Sequence, residues 1–448
     1  MRWTVFCILV VLVSQSVGAD SNVAVTIYND DLALVRDVRS LEFEKGIQRF
    51  RFIDVAARID PTSVHFKSLT KPDDVTILEQ NFEYDLVGSS RLLEKYIDHE
   101  VSITVKDGAV VSGTLLSSAG GDIILQLDDG QIRILKSAVI ESILFPSLPE
   151  GLVTRPTLVW LLSTKGGTQE SEVSYLTRGI SWHAEYVAVV NEKDTALDLA
   201  GWVSIDNESG ATYKDAKLKL VAGDVHRVTE APVRPMQKQM MAMAMAEDAG
   251  FEEKAFFEYH LYTLQRPATI RDRQVKQVSL FAPQNTPVNK VYKYDGARDG
   301  KKVKVTLEFE NKKEYGLGLP LPRGKVRVYK NDEDGAQEFI GEDAIDHTPK
   351  DETVRLTMGN AFDIVGERTV LETKKLSKRS SQTTVEISLR NHKKESISVT
   401  VIEHWWGDWR IVGDTPPVKK RTADRLELQV AVPAEGETTF EYTVLSQY

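Results

Sequence analysis

Apolar and polar residues alternate along most of this chain. Val303, Val305, Leu307 and Phe309 are interleaved with Lys304, Thr306, Glu308 and Glu310, so an extended segment here has one apolar and one charged face. The same period of two recurs at Val385, Ile387 and Leu389, at Ile397, Val399 and Val401, at Leu426, Leu428, Val430 and Val432, and at Phe440, Tyr442 and Val444. A sheet with one wet face must cover the other. Many half-buried strands therefore predict an all-β fold of several sandwiches or barrels rather than a parallel sheet wrapped in helices. Asp107-Gly108, Asp129-Gly130 and Asp334-Gly335 supply the positive backbone angles that tight turns need, and the first two lie between strand patterns as hairpin tips.

The pattern divides the chain into four units. A strand at 23–27, a turn at Asn29, Asp30 and Asp31, and a strand at 32–38 open the first unit, residues 20–88. Ser89 or Ser90 caps a short helix through Leu92, Leu93 and Ile97, and five short strands follow between 101 and 144. One helix and five bent strands make a small barrel of 89–147. The central unit, 148–375, carries Trp160, Trp182, Tyr186 and Trp202 among its apolar positions. The last, 376–448, reads as an immunoglobulin-like sandwich with a turn at 433–437. The first and third units are expected to pair across the inserted barrel, because an insertion is tolerated where its two ends lie close together.

The N-terminus breaks the alternation. Arg2 precedes an apolar run at 5–13, then Ser14, Gln15 and Ser16, then Val17-Gly18-Ala19, the small-residue pattern of a signal-peptide cleavage site. The run is short for a membrane span, and no later run reaches about eighteen apolar residues. The expected product is secreted or periplasmic, begins at Asp20 and has no membrane span. Cys7 is the only cysteine and lies inside the signal. The exported chain would hold no thiol, which excludes disulfides, thiolate catalysis and Cys-ligated zinc.

Charge narrows the partners. Lys and Arg number 56 against 66 Asp and Glu, a net of -10, and loss of Arg2 makes it -11. Binding to nucleic acid or anionic lipid over a broad surface needs clustered Lys and Arg, and is not expected of a chain this acidic. Within 89–146 there are five basic residues (Arg91, Lys95, Lys106, Arg133, Lys136) and eight acidic ones (Glu94, Asp98, Glu100, Asp107, Asp122, Asp128, Asp129, Glu141), a net of -3. This segment resembles the Sm-like family through Leu93, Val101, Ile103, Val105, Asp107-Gly108, Gly113, Leu115, the 123–127 strand, Asp129-Gly130 and 140–143. Sm-like rings bind RNA, but the family's RNA-contacting Arg-Gly is replaced here by Leu144-Phe145-Pro146. The acidic unit reads as a structural or protein-contact module, and no nucleic-acid partner is expected.

A second resemblance is carried by separated motifs in order. They are Tyr175-Leu176-Thr177-Arg178-Gly179-Ile180-Ser181-Trp182-His183-Ala184-Glu185-Tyr186, then Gly201-Trp202-Val203-Ser204-Ile205-Asp206-Asn207, Tyr259-His260-Leu261-Tyr262-Thr263-Leu264, Gln277-Val278-Ser279-Leu280-Phe281, the stretch 321–329 from Leu321-Pro322-Arg323-Gly324, and Gly341-Glu342-Asp343-Ala344-Ile345-Asp346-His347-Thr348-Pro349. From about residue 155 to the C-terminus the chain is similar to the large domain of unknown function in the mucoidy-inhibitor-A-like secreted bacterial proteins. The resemblance implies a β-rich envelope protein and no established reaction. Typical members carry a long coiled coil where this chain has the small barrel, so oligomerisation through such a coil does not carry over.

Four groups of residues could carry chemistry. Met241, Met243 and Met245 belong to a run of five methionines between 236 and 245, and thioethers suit Cu(I), yet the composition also reads as an Ala/Met-rich flexible insertion near 230–258. Glu342, Asp343, Asp346 and His347 could hold a divalent cation or serve as acid and base, or form a polar loop ended by Pro349. His183, alone on a strand, reads first as a packing or rim residue. His404 precedes Trp405, Trp406 and Trp409, which could stack on sugars as a binding surface, although alternation sends at least one ring inward. Nucleophile elbow, zinc helix, Walker loop and dinucleotide fingerprint are all missing from the sequence.

These features together lead to an expectation of an exported, non-catalytic envelope protein, without a cofactor, that binds an envelope protein or a polysaccharide. The rival is a metal-assisted envelope hydrolase using the 342–347 group. Export itself is testable: N-terminal sequencing of protein recovered from the producing cell is expected to begin at Asp20, and a retained Met1 would refute the cleavage.

Overall fold

The computed structural model describes residues 22–149, 151–223, 251–256, 259–332 and 334–447. Cys7 with the rest of the signal segment, and Met241, Met243 and Met245, lie outside the described residues. The protein is all-β: among the described residues thirty strands are accompanied only by short helical turns, the two α-helices being Ser89–Lys95 and Gly296–Asp299. Among the described residues no helix is long and apolar enough to cross a membrane.

The alternation read from the sequence is what builds the first and largest core. Val23, Val25 and Ile27 of Asn22–Tyr28 turn inward, while the residues between them stay partly exposed. This strand pairs antiparallel with Leu32–Phe43 and parallel with Tyr213–Ala222. Leu32–Phe43 in turn pairs with Gly167–Thr177. The N-terminal strands are thus woven into a sheet whose other members come from beyond residue 166. A second sheet runs in the order Gln274–Pro287, Ala196–Asn207, Ile180–Val190, Gly324–Asn331, Gln337–Ile345. Side chains of both sheets share one apolar core. The Trp182 indole N–H donates to the Val221 carbonyl at 3.2 Å, and Tyr186 donates to Pro322 O at 2.8 Å, so the buried rings also keep their polar ends bonded. Gly324 makes the parallel pairing with Ile180–Val190 possible, since a Cβ there would lie 2.2 Å from the Ala184 carbonyl oxygen.

A three-stranded sheet, Gly46–Ile53, Thr157–Thr164 and Thr76–Glu83, completes this body. Trp160 at its centre is fully buried, packs on Phe50, Phe52 and Phe66, and donates its indole N–H to Gln80 Oε1 at 2.8 Å.

Between these strands lies a unit with its own core. Its ends meet where Val87 N donates to Val153 O at 3.0 Å and Val153 N donates to Asp85 O at 3.0 Å. The sheet order is Ile140–Leu144, Glu100–Val105, Val110–Ser117, Ile123–Gln126, Ile132–Leu135. Tyr96, Val101, Ile103, Val105, Val111, Leu115, Ile123, Leu125 and Leu135 form the core, and Tyr96 donates from its hydroxyl to Ser147 O at 2.6 Å. Gly108 and Gly130 have φ of 82° and 84°, while Asp107 and Asp129 each accept from the backbone N–H two residues on. These are the two hairpin tips that the Asp-Gly pairs predict.

The C-terminal body is a nine-stranded sheet folded over a third core. Its strand Thr353–Ser377 is 25 residues long and changes partner along its length. Residues up to Val365 pair with Lys302–Glu310, and those from Ile364 onward pair with Ser380–Asn391. One antiparallel strand thereby turns the corner between two layers. The core draws on Tyr292, Tyr294 and Val303 as well as on Val385, Val399, Leu428 and Tyr442.

Because nine side chains between Tyr96 and Leu135 form a separate buried core and the ends of the segment 85–153 are closed by two backbone hydrogen bonds, this segment expressed alone is expected to give a β-type circular dichroism spectrum and a cooperative melt. A gradual, non-cooperative loss of signal would show that it depends on the surrounding sheets.

Candidate functional site

Consecutive residues on an extended strand point to opposite faces, and this separates most of the residues singled out from the sequence. Glu342 lies on the exposed strand Gln337–Ile345 facing Lys325 at 3.2 Å and Arg327 at 3.7 Å. Asp343 accepts from the backbone N–H of Ala344 at 2.9 Å and of Thr357 at 2.6 Å. The Asp346 carbonyl oxygen accepts from the Thr348 hydroxyl at 2.8 Å, and His347 Nδ1 accepts from Arg323 N at 3.1 Å. The group is a strand end and turn with four separate sets of partners. Among the described residues no three His, Asp or Glu side chains gather as a metal ion would require. His183 sits on a rim with its side chain 57% exposed, 3.6 Å from Glu185.

The tryptophan group divides. Trp409 is 4% exposed, donates its indole N–H to Ala423 O at 2.6 Å, and lies under the Arg421 guanidinium at 4.5 Å from the ring centre. Trp405 is half-buried, edge-on to Tyr442 at 6.2 Å. Trp406 is 74% exposed. Two rings are packing and one is surface.

Beneath Trp405 lies a charged network that the sequence does not announce. Glu403 occupies a position that alternation assigns to the core, in line with Val399 and Val401, and it is 0% exposed. Arg368 reaches it from Thr353–Ser377 through Nε at 3.0 Å and Nη2 at 3.0 Å, and the Tyr442 hydroxyl donates to the same carboxylate. Burial, reinforced by the Glu403 carboxylate, drives the Tyr442 phenol far above its ordinary range and pushes Tyr294 up to about 12, so both stay protonated. Arg368 is raised despite its burial because the carboxylate holds the charged form. The pair is bidentate and its carboxylate is satisfied by a third donor, the condition under which a buried ion pair is tolerated.

On the other face of the same sheet, five neighbouring strands contribute to a polar cleft of about 270 Å³. His404 is its central group, 2.8 Å from Asp295 Oδ2. Around it Lys304 faces Asp299 at 2.7 Å, Lys293 and Arg355 face Glu308 at 2.6 and 3.5 Å, and Arg425 faces Glu427 at 2.9 Å. Each of these cations has a carboxylate beside it. A larger groove, about 600 Å³ and lined by residues including Arg58, Asp206, Glu208, Asp272 and Arg273, has the same mixed character.

Fold and surface thus define an all-β, multi-sheet protein whose polar clefts are lined by mutually paired charges. Residues 171–448 match the family described as a domain of unknown function, DUF4139. That is more than half of the chain, and the chain belongs to this family. No curated protein matches it.

The division of the tryptophans and the Glu403 network gives measurable stabilities. Trp409→Ala is expected to cost about 3 to 5 kcal/mol, the range for emptying a large aromatic site. Trp406→Ala is expected to stay within about 0.5 kcal/mol. Glu403→Gln, which leaves Arg368 without its counter-charge, is expected to cost about 3 to 5 kcal/mol. Equal losses for Trp406→Ala and Trp409→Ala in denaturant titrations would contradict the assignment.

Proposed function

We propose that this is an exported, non-catalytic protein of the bacterial cell envelope, secreted or periplasmic, that binds another protein or a surface polymer. Arg2, the apolar run and Val17-Gly18-Ala19 support export. The ordered motifs from Tyr175 to Pro349 support kinship with the mucoidy-inhibitor-A-like secreted proteins. Residues 89–147 are read as an Sm-like small barrel standing where those proteins carry a coiled coil, and serving protein contact, since a net charge of -3 disfavours RNA.

A single contrast carries the binding reading. In the cleft around His404 the charged side chains face one another, and in the 342–347 group Glu342 faces Lys325 and Arg327 while Asp343 accepts from backbone N–H groups. At the end of the last sandwich, by contrast, Trp406 and the hairpin residues 371–379 are open to solvent. Exposed apolar groups set among polar ones mark interaction surfaces. A hydrolase reading has one observation in its favour, the collection of titratable groups from five strands around the His404–Asp295 pair. The sequence reading gave that role to Glu342, Asp346 and His347, of which Glu342 stands beside Lys325 and Arg327 and His347 Nδ1 accepts from Arg323 N; the His404 cleft is a second place for it.

Retention of tagged full-length chain on washed envelope fragments tests the proposal. Retention is expected for the native chain and loss of it for a Trp406→Ala, Leu376→Ala double variant of unchanged melting temperature. Turnover of an envelope polymer that His404→Ala abolishes would replace binding by catalysis.

A further inference from the structure

The end of the C-terminal sandwich gathers apolar and cationic groups on one rim. Asp408 pairs with Gln447, Gln447 with Ser380, and Ser380 with Ser377, so four adjacent strands finish level with one another. At about 4.8 Å between strands, this rim is about 14 Å wide. Trp406 lies two residues before Asp408 at one side, and the hairpin tip at Lys378 and Arg379 lies at the other. From Leu371 to Arg379 every residue is exposed, and Leu376 is 55% exposed beside the tip.

The charge of this rim is opposite to that of the chain. Residues 371–380, 405–412 and 443–447 contain Lys374, Lys375, Lys378, Arg379 and Arg410 against Glu372 and Asp408, five minus two, or +3, on a chain of -10. One pair, Lys374 with Glu372 at 2.9 Å, is internal to the patch. No other group in the patch belongs to an ion pair within it.

We propose that this rim docks on the headgroup layer of an anionic phospholipid bilayer; the inference rests on the binding reading above and names its partner. The chemistry is that of an interfacial anchor. Tryptophan is favoured at headgroup depth, where its ring is covered and its N–H stays wet. Lysine and arginine keep their charges among the phosphates while their stems lie on the apolar layer. An aliphatic side chain beside the cations is suited to acyl chains, whereas an acidic polysaccharide would engage the cations and leave Leu376 in water. The rim carries +3 on a chain of -10, and the net negative charge of the remainder turns that part away from an anionic surface.

Sedimentation of the full-length chain with vesicles provides the test, using phosphatidylcholine alone and phosphatidylcholine with about one third phosphatidylglycerol. Binding to the anionic vesicles is expected to exceed binding to the neutral ones and to fall steeply between low and high salt. The variant carrying Lys374→Gln, Lys375→Gln, Lys378→Gln and Arg379→Gln is expected to lose on the order of a hundredfold or more in partitioning, since each of the four cations near such a surface is worth about fivefold. Trp406→Ala is expected to lose a few-fold even at high salt. Residues 1–19 are present in every variant, so the lipid affinity of that apolar run is common to all. Both variants are checked by melting curves, and the Gln substitutions fall on exposed positions. Equal binding by native and variant chains, or equal binding to neutral and anionic vesicles, overturns the proposal. If vesicles are not bound while envelope fragments still retain the native chain and not the Trp406→Ala, Leu376→Ala variant, the lipid partner is wrong and the binding reading stands.

Discussion

Two strands belong to two cores at once, and the rest of the molecule is arranged around that constraint. In Lys302–Glu310, Val303 is buried in the C-terminal core while Leu307 and Phe309 are buried in the large central one. In Thr353–Ser377, Val354 and Leu356 belong to the central core and Ile364 to the C-terminal one. A backbone shared in this way cannot slide, because a slip of one residue would exchange wet and dry faces in both cores together. Cooperativity between the two bodies follows, and so does the level at which the last sandwich ends.

The Arg368, Glu403 and Tyr442 network sits where the long strand changes partners, and it fixes that corner with directional bonds that apolar packing lacks. Gly366, two residues before Arg368, leaves room for the Tyr294 ring, which a Cβ there would meet at 2.2 Å. Beyond this corner the hairpin continues with little cover, so its lysines and Trp406 stand clear of the paired charges that line the clefts.

Families known only as domains of unknown function invite a search for a catalytic cluster. Here the group that looks most like one in the sequence, 342–347, is a strand end where Glu342 faces Lys325 and Arg327, Asp343 accepts from the Ala344 and Thr357 N–H groups, and His347 accepts from Arg323 N. The titratable groups that do converge, His404 and Asp295 with Lys304, Arg355 and Arg425, come from segments far apart in the chain.

How much of this was legible in the sequence depends on the range of the interaction. Alternation of period two is local, and it identified Val303 to Phe309, Val385 to Leu389, Ile397 to Val401 and Leu426 to Val432 as strands, hence an all-β fold. Turn chemistry is local as well: Asp107-Gly108 and Asp129-Gly130 form their hairpins through the Asp side chain and the positive φ of Gly. Asp334-Gly335 does the same between Gly324–Asn331 and Gln337–Ile345. Alternation said that at least one of the tryptophan rings turns inward, while the inward turn of Trp409 required the strand to resume at Asp408. Pairing between distant strands has no local signature. The parallel pairing of Asn22–Tyr28 with Tyr213–Ala222, the partner change at Ile364, and the meeting of Arg368 with Glu403 were decided by which apolar faces could cover one another. Glu403 shows the limit most plainly, for its place in the alternation said buried and its charge said exposed, and only a guanidinium delivered from another strand reconciled the two.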